Sequence, residues 1–219
     1  MITIPVVVRN WKIKNPEVYR YLNQEYINEF FSTGRIRLST FVQFKKNPDE
    51  QMGDSTEGKN VLYGTDGKNS FVALTQHGVN SFVLCTSTEE SSELMTSFKV
   101  DGYFKIKDTI GFAAAIANRI PGFLEGLEGF CKYSLQRNIQ RKLPDSIISD
   151  LLSNPEKQIP LDKIFSLTEQ VGQEDVFFIK HTSFRNQSEY RFIWNVSVNT
   201  NDALFINCPE AIQHCEKIT

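Results

Sequence analysis

The chain has 219 residues, of which 40% are apolar and 23% charged, and its formal net charge is −2. A chain of this length and composition can bury a substantial core, which excludes a disordered or fibrous protein. The weak net charge excludes a general basic field for nucleic acid or anionic membranes, so any such contact needs a local patch. We expect a single soluble, cytoplasmic α+β domain.

The cysteines and the N-terminus argue against metal binding, secretion and membrane insertion. Cys85, Cys131, Cys208 and Cys215 form no C-x-x-C pair, and only three histidines accompany them. We therefore expect reduced, buried thiols and no metal site. Residues 1–8 are apolar but short, without the basic region and cleavage site of a secretory signal. No stretch approaches the roughly 20 apolar residues of a membrane span.

In chain order, the first predicted element is a strand at 2–8. A helix at 24–31 follows, with Gly34 as its stop, and the alternating residues 35–39 predict a strand. Residues 45–59 are polar and hold one proline and two glycines, which is typical of a loop. Further strands are predicted at 60–63, 71–74, 81–85 and 98–106.

The middle of the chain is the least clear part of the sequence. Asp108 is a suitable cap for a helix that runs through the alanines toward Asn118. Residues 122–143 fit either a strand or a continued helix. Residues 144–175 hold three prolines, and we expect short helices there. We therefore predict a mostly helical insertion at about 108–175 within one domain.

The clearest pattern lies at 187–196, which predicts a strand. Successive side chains of a strand point to opposite faces. The face that points to the core carries Tyr190, Phe192, Trp194 and Val196. The other face begins with Gln187, Glu189 and Arg191, three groups that leave the strand in parallel and could act on one ligand. A last strand at 202–207 and a short helix are predicted to follow.

The Gln187-x-Glu189 pair is the first candidate for chemistry. On a strand the two side chains lie roughly 7 Å apart. A carboxylate beside a neutral amide suits a reaction that develops positive charge on a sugar: the carboxylate stabilises that charge, and the amide orients an acceptor. The alternative is a surface strand on which Glu189 pairs with Arg191.

Two further motifs could bind a substrate or brace the site. The apolar strand that begins at Phe82 ends in Thr86, Ser87 and Thr88, whose hydroxyls could fix a catalytic carboxylate, although such residues are also ordinary turn chemistry. Residues 19–21 are Tyr-Arg-Tyr. Arg20 could grip a phosphate while Tyr21 stacks on a planar ring, or it could be an ordinary surface arginine.

A third motif is the Gly-Asp-Ser-Thr-Glu-Gly run at 53–58. Asp54 and Glu57 could bind a cation or hold a sugar hydroxyl. The run lacks the length and ligand alternation of an EF-hand, and it lacks the lysine of a phosphate-binding loop. A solvated loop is the alternative.

Together these motifs resemble a widespread bacterial family of uncharacterised proteins. Its members share a Tyr-Lys/Arg-Tyr start, a Gly-x-Leu/Ile-x-Leu strand, matched here at 34–38, and a Gly-Asp-x-x-Glu-Gly loop. They also share a Lys-x-x-x-Phe-x-x-Glu-x-Glu-Tyr-Arg block, matched by Lys180, Phe184 and residues 187–192. The resemblance leaves about 110–175 uncovered, and Gln187 stands where the family usually has glutamate.

The family's order of parts is similar to that of ADP-ribosyltransferases: an early arginine or histidine, a Ser/Thr-rich strand end and a late Gln/Glu-x-Glu. The resemblance implies an ADP-ribosyltransferase-like fold with mixed, mostly antiparallel sheets and flanking helices, and NAD as substrate. Arg20 would contact the dinucleotide, and Ser87 would brace the site. Glu189 would bind the nicotinamide ribose 2′-hydroxyl, and Gln187 would face the acceptor. The further binding residues would be Tyr21 and Arg191 for NAD, and Asp54 and Glu57 for the substrate.

The leading hypothesis is therefore an NAD-consuming toxin or effector in bacterial defence or phage conflict. Its acceptor would be a protein or nucleic acid, with an antitoxin or defence protein as partner. One alternative is a non-catalytic binding or sensor module, in which Asp54, Glu57 and Arg191 form structural ion pairs. Another is a metal-dependent nuclease that uses Asp54, Glu57 and Glu189.

Overall fold

The computed structural model describes residues 15–46, 58–65, 70–135, 138–140 and 175–218. In these ranges the protein is α+β, with mostly antiparallel sheets and flanking helices. The predicted strand at 2–8, the loop residues Asp54 and Glu57, and the segment 144–174 lie outside the described residues.

The first half of the chain alternates short strands and helices. Its elements are β1 (Val18–Leu22), α1 (Gln24–Thr33), β2 (Arg35–Thr40), α2 (Phe41–Lys46), β3 (Lys59–Thr65), β4 (Ser70–Gln76), β5 (Ser81–Ser87), α3 (Ser92–Phe98), β6 (Gly102–Ile106) and α4 (Thr109–Ala117).

The second half consists of strands and short 3₁₀ helices. Its strands are β7 (Phe123–Phe130), β8 (Lys132–Ser134), β9 (Asn138–Gln140), β10 (Ile179–His181), β11 (Glu189–Val196), β12 (Leu204–Asn207) and β13 (Cys215–Lys217). The 3₁₀ helices are Asp175–Phe178, Thr182–Gln187 and Pro209–His214.

Two predicted helices form where their capping residues indicate. Helix α1 ends at Gly34, whose φ of 73° is left-handed and whose N–H donates to the Phe30 carbonyl at 2.7 Å. Glycine adopts that conformation without the steric cost of a side chain. Helix α4 begins after Asp108, whose carboxylate accepts from the Gly111 N–H at 3.0 Å.

Two predictions are wrong in part. The predicted strand at 98–106 begins only at Gly102, because the Ser91 hydroxyl caps α3 and that helix extends through Phe98. The segment 108–175 is not mostly helical in its described first part. After α4, residues 123–130 pair with β11 from Tyr190 to Val196 and so belong to the main sheet.

The main sheet has eight antiparallel strands and divides at β5. Strand β11 pairs along the whole length of β5, and β7 pairs with β11. On the other edge of β5, β2 pairs at Val83 and Phe82, whereas β1 pairs at Ser87. Two branches, β2–β12 and β1–β6–β13, therefore leave the same edge of β5. Cys85 lies between the two branch points.

Both faces of β11 are buried, so the strand lies inside the protein. Tyr190, Phe192, Trp194 and Val196 belong to the larger apolar cluster, as the alternation predicts. The Trp194 indole N–H donates to the Ala113 carbonyl of α4 at 3.1 Å. The opposite face belongs to a second apolar cluster, which contains Phe41, Val83, Leu127, Phe177, Phe178 and Ile193.

Two smaller sheets complete the described fold. Strands β8 and β10 pair in parallel, with Lys180 opposite Tyr133. Strand β3 lies between β4 and β9. The four cysteines are free thiols, three of them buried and Cys85 half-buried. In the ranges given above, no helix has the length and apolar character that a membrane crossing requires.

Candidate functional site

Three of the predicted site residues are carried by neighbouring strands. Ser87 at the end of β5 pairs with Tyr19 of β1 on one side and with Glu189 of β11 on the other. Residues directly opposite one another in a sheet point to the same face. Ser87 and Glu189 are therefore side by side, with exposed fractions of 2% and 4%. Arg20 follows Tyr19 on β1.

The Arg20 side chain reaches the division of the sheet. Its Nη1 donates to the Cys85 carbonyl at 2.6 Å, a carbonyl that lies between the two branch points of β5. Its Nε is buried and has no hydrogen-bond partner among the described residues. Burial lowers the pKa of Arg20, and the charge of Arg37 lowers it further, while Glu189 acts in the opposite direction. Arginine nevertheless stays protonated in proteins.

Glu189 is the centre of a buried ionic cluster. Its Oε2 accepts from the Lys180 ammonium, and its Oε1 accepts from the Arg191 Nε at 2.5 Å. The Arg191 Nη1 also donates to the Phe177 carbonyl at 2.7 Å. The Glu189 N–H donates to the Tyr133 hydroxyl at 2.7 Å. Both side-chain oxygens and the backbone amide of Glu189 are therefore held by named partners.

The cluster keeps Glu189 ionised. Burial alone would raise the pKa of this carboxyl, but the charges and hydrogen bonds of Arg191 and Lys180 outweigh burial and hold the pKa well below its usual range. The pKa values of the two nearby thiols shift in the opposite direction. Burial, followed by the charge of Glu189, raises the pKa of Cys85 to about 12, and burial raises the pKa of Cys131 well above its ordinary value.

The lowered pKa of Glu189 predicts a steeper loss of stability in acid. The stabilisation that this carboxylate contributes is complete above the unfolded-state pKa of about 4.3. It is lost as pH falls from there toward the lower folded-state pKa, with a slope of at most about 1.4 kcal/mol per pH unit.

Urea unfolding between pH 7 and pH 3 should therefore show a steeper acid limb for wild type than for Glu189→Gln. Glu29→Gln, at an exposed ion pair, should keep the wild-type slope. Equal slopes for wild type and Glu189→Gln would contradict the prediction.

Gln187 is not on the strand, so the prediction that three groups leave it in parallel is wrong. Gln187 ends the 3₁₀ helix Thr182–Gln187, and Ser188 has a left-handed φ of 42°, so β11 begins only at Glu189. The Ser188 carbonyl accepts from the Thr88 N–H at 2.9 Å. The Gln187 amide nevertheless reaches the site, because its Oε1 accepts from the Lys180 ammonium at 2.7 Å.

Tyr21 and Ser87 make contacts that organise the turn after β5. The Tyr21 hydroxyl donates to the Glu89 carbonyl at 2.7 Å and accepts from the Ser91 N–H at 2.8 Å. The Ser87 hydroxyl accepts from the Glu89 N–H at 3.0 Å. Tyr21 is only 7% exposed. Its predicted stacking on a ligand would therefore require this turn to move.

Lys180 and Tyr133 contact Glu189 although the sequence predicts no role for them. Lys180 belongs to a motif that gives it no function, and no local pattern connects Tyr133 to Glu189. Both lie in the β8–β10 sheet, directly opposite each other. In the described ranges no group of three or more His, Cys, Asp or Glu residues could hold a metal ion. Asp54 and Glu57 are outside those ranges.

Comparisons with protein-family models, with curated proteins and with solved structures give no match. The described chain is an α+β protein whose antiparallel sheet divides at β5 and carries a buried Lys–Glu–Arg cluster beside that division.

Proposed function

We propose that this protein is an ADP-ribosyltransferase-like enzyme that consumes NAD⁺ and modifies a macromolecule. One observation carries the proposal: Arg20, Ser87 and Glu189, which are far apart in sequence, lie on the adjacent strands β1, β5 and β11. The motif resemblance names these three positions without any knowledge of strand pairing. Ser87 and Glu189 lie directly opposite each other, whereas Arg20 follows Tyr19 and so leaves the other face of β1. Arg20 approaches them through the division of the sheet, where its Nη1 donates to the Cys85 carbonyl, and this approach supports the proposal.

The chemistry follows from the charges of these groups. When the bond between ribose C1′ and nicotinamide breaks, nicotinamide leaves with the electron pair and positive charge develops on the ribose. Glu189, which lies between the charges of Lys180 and Arg191, would bind the 2′-hydroxyl and bring its carboxylate next to that charge. The Arg20 guanidinium would bind the diphosphate. The acceptor then forms its bond to C1′ and releases a proton to solvent.

The geometry sets a condition for this reaction. Glu189 is 4% exposed, and each of its oxygens accepts from a cation. A carboxylate oxygen has more than one lone-pair site, so a ribose hydroxyl could be added without loss of Arg191. The covering side chains would have to move for the ribose to arrive. Substrate binding is therefore expected to change the environment of Lys180.

The test is NAD⁺ loss with purified protein, without metal and with cell lysate as acceptor. Wild type should consume NAD⁺, and Glu189→Gln should lower the rate by about 10²–10³-fold, the usual effect of removing one charge-stabilising group. The matched control is Glu29→Gln, which alters an exposed glutamate paired with Arg35 and should keep the wild-type rate. As a toxin or effector, the wild type should also slow bacterial growth when expressed, and Glu189→Gln should not.

Three outcomes would contradict the proposal. The first is equal NAD⁺ loss for wild type and Glu189→Gln, and the second is no loss for either protein. The third is an activity abolished by a chelator, which would favour the metal-dependent nuclease with Asp54, Glu57 and Glu189. Harmless expression of active wild-type protein would overturn only the toxin role.

A second candidate function, a non-catalytic binding or sensor module, is favoured by one observation. Arg191 forms a buried ion pair, as that alternative expects, and its partner Glu189 is covered by side chains. In such a module the cluster would only hold β11 to the 3₁₀ helix Asp175–Phe178. The two functions separate in one experiment, because only the enzyme releases nicotinamide.

A further inference from the structure

We propose that Lys180 is a positioning residue that holds Gln187 and Glu189 together and thereby couples nicotinamide release to transfer. This inference rests on the proposed function, in which Glu189 binds the ribose and Gln187 faces the acceptor. Lys180 is not a catalytic residue in this account, since it acts through the two side chains that it contacts.

The contacts of Lys180 support this role. Its ammonium donates to the Glu189 carboxylate and, at 2.7 Å, to the Gln187 amide oxygen. The same ammonium lies 4.5 Å from the centroid of the Phe184 ring. Lys180 is buried. A buried lysine with two oxygen partners and an aromatic face has little freedom to move, so it fixes the separation of those two oxygens.

The backbone alone does not bring Gln187 and Glu189 together. A continuous strand would point both side chains to one face, but Gln187 ends a 3₁₀ helix and Ser188 is left-handed. The contacts of the Lys180 ammonium, rather than strand geometry, therefore bring the Gln187 and Glu189 side chains together. Lysine suits this position because its ammonium is compact and has three donors.

The β8–β10 sheet contacts Glu189 at a second point. Lys180 lies opposite Tyr133 of β8, and the Tyr133 hydroxyl accepts from the Glu189 N–H at 2.7 Å. The β8–β10 sheet thus contacts both the backbone and the side chain of Glu189. A displacement of the Lys180 backbone relative to Glu189 would therefore require this small sheet to shift.

The consequence for the reaction is a change in product ratio. Both hydrolysis and transfer break the C1′–nicotinamide bond and release nicotinamide with the electron pair. In transfer, the acceptor oriented by Gln187 bonds to C1′; in hydrolysis, water does so and yields free ADP-ribose, and each loses one proton to solvent. Total nicotinamide release therefore reports on Glu189, whereas the ratio of transferred to free ADP-ribose reports on Gln187.

The experiment uses NAD⁺ labelled in the adenylate and cell lysate as acceptor. Lys180→Met and Gln187→Ala should each lower the ratio of transferred to free ADP-ribose by about tenfold, a coupling typical of residues in direct contact. The double variant should fall no further, since one acts through the other. Lys217→Met, whose ammonium contacts exposed Asn28, is the matched control and should keep the wild-type ratio.

A milder variant keeps the test decisive if Lys180→Met does not fold. Phe184→Leu removes the ring beside the ammonium, leaves both oxygens in place and should lower the ratio in the same direction. An unchanged ratio in the folded variants would overturn the inference, and so would an additive double variant. A folded Lys180→Met protein that loses nicotinamide release as completely as Glu189→Gln would overturn it as well. No nicotinamide release by wild type would instead overturn the proposed function.

Discussion

Arg191→Met is expected to lower the free energy of unfolding by about 3–5 kcal/mol, the usual cost of removing one partner from a buried ion pair. Arg191 is fully buried, and its guanidinium contacts both the Glu189 carboxylate and the Phe177 carbonyl. Methionine fills a similar length with an unbranched chain, so the expected loss comes from the polar contacts rather than from a large cavity.

Among the contacts described above, two groups lose a donor in this variant. Glu189 keeps only Lys180 as a cationic partner among these contacts, and its side chain remains buried. The Phe177 carbonyl also loses the hydrogen bond from Arg191 Nη1. A buried acceptor without a donor costs about 1–3 kcal/mol, more when the group is charged. The two losses together account for the size of the expected effect.

The matched control is Arg35→Met. Arg35 forms an ion pair with Glu29 at 2.8 Å, a distance similar to that of the buried pair, but the two side chains are 49% and 38% exposed. Exposed pairs contribute only about 0–1 kcal/mol. Urea unfolding at pH 7 followed by circular dichroism measures both variants. A loss of less than 1 kcal/mol for Arg191→Met would show that the cluster is solvated in solution.

Stability does not explain why the cluster is present. Replacing a whole buried ion pair by apolar residues is often neutral or stabilising, because both charges must be removed from water. The cluster also adjoins the second apolar cluster, since Ile193 follows Arg191 by two residues on the same face of β11. An apolar continuation there would be feasible. Because Lys180, Glu189 and Arg191 occupy this region instead of apolar residues, we infer a functional role for the cluster.

The sequence predicts elements that depend on local signals. Gly34 ends α1 because its left-handed φ suits glycine, and Asp108 caps α4 with its own side chain. The alternation of apolar residues in β11 also identifies the core face correctly. In each case the physical cause lies within a few residues of the predicted position, so the sequence contains all of the necessary information.

The sequence does not predict contacts that depend on strand pairing. The division of the sheet at β5, which brings Arg20 to the Cys85 carbonyl, results from two branches that leave one edge. No local pattern encodes that arrangement. The prediction that Gln187 lies on the strand is wrong because Ser188 adopts a left-handed conformation, which is uncommon for a residue other than glycine. Lys180 contacts Glu189 from a separate sheet, and no local pattern predicts that contact either.

Gly34→Ala is expected to lower the free energy of unfolding by about 3 kcal/mol or more, because two costs combine there. Gly34 has a φ of 73°, which an L-residue with a side chain adopts only with strain. An added Cβ would also lie 2.3 Å from the backbone carbon of Cys208 and 2.3 Å from the nitrogen of Pro209. Backbone atoms cannot rotate away as a side chain does, so the two segments must separate.

The separation would break a defined connection, since the Cys208 N–H donates to the Gly34 carbonyl at 2.9 Å. The control is Gly122→Ala, with a similar φ of 69°, where the close contact of the added Cβ is the Ser197 hydroxyl at 2.6 Å and the Ser197 backbone nitrogen is 3.7 Å away. That variant should lose about 1–2 kcal/mol, the cost of a left-handed L-residue alone. Thermal and urea unfolding measure both variants. Equal losses at the two positions would mean that the backbone contact between Gly34 and Cys208 yields easily, and that the start of the 3₁₀ helix Pro209–His214 is not fixed to the α1–β2 turn.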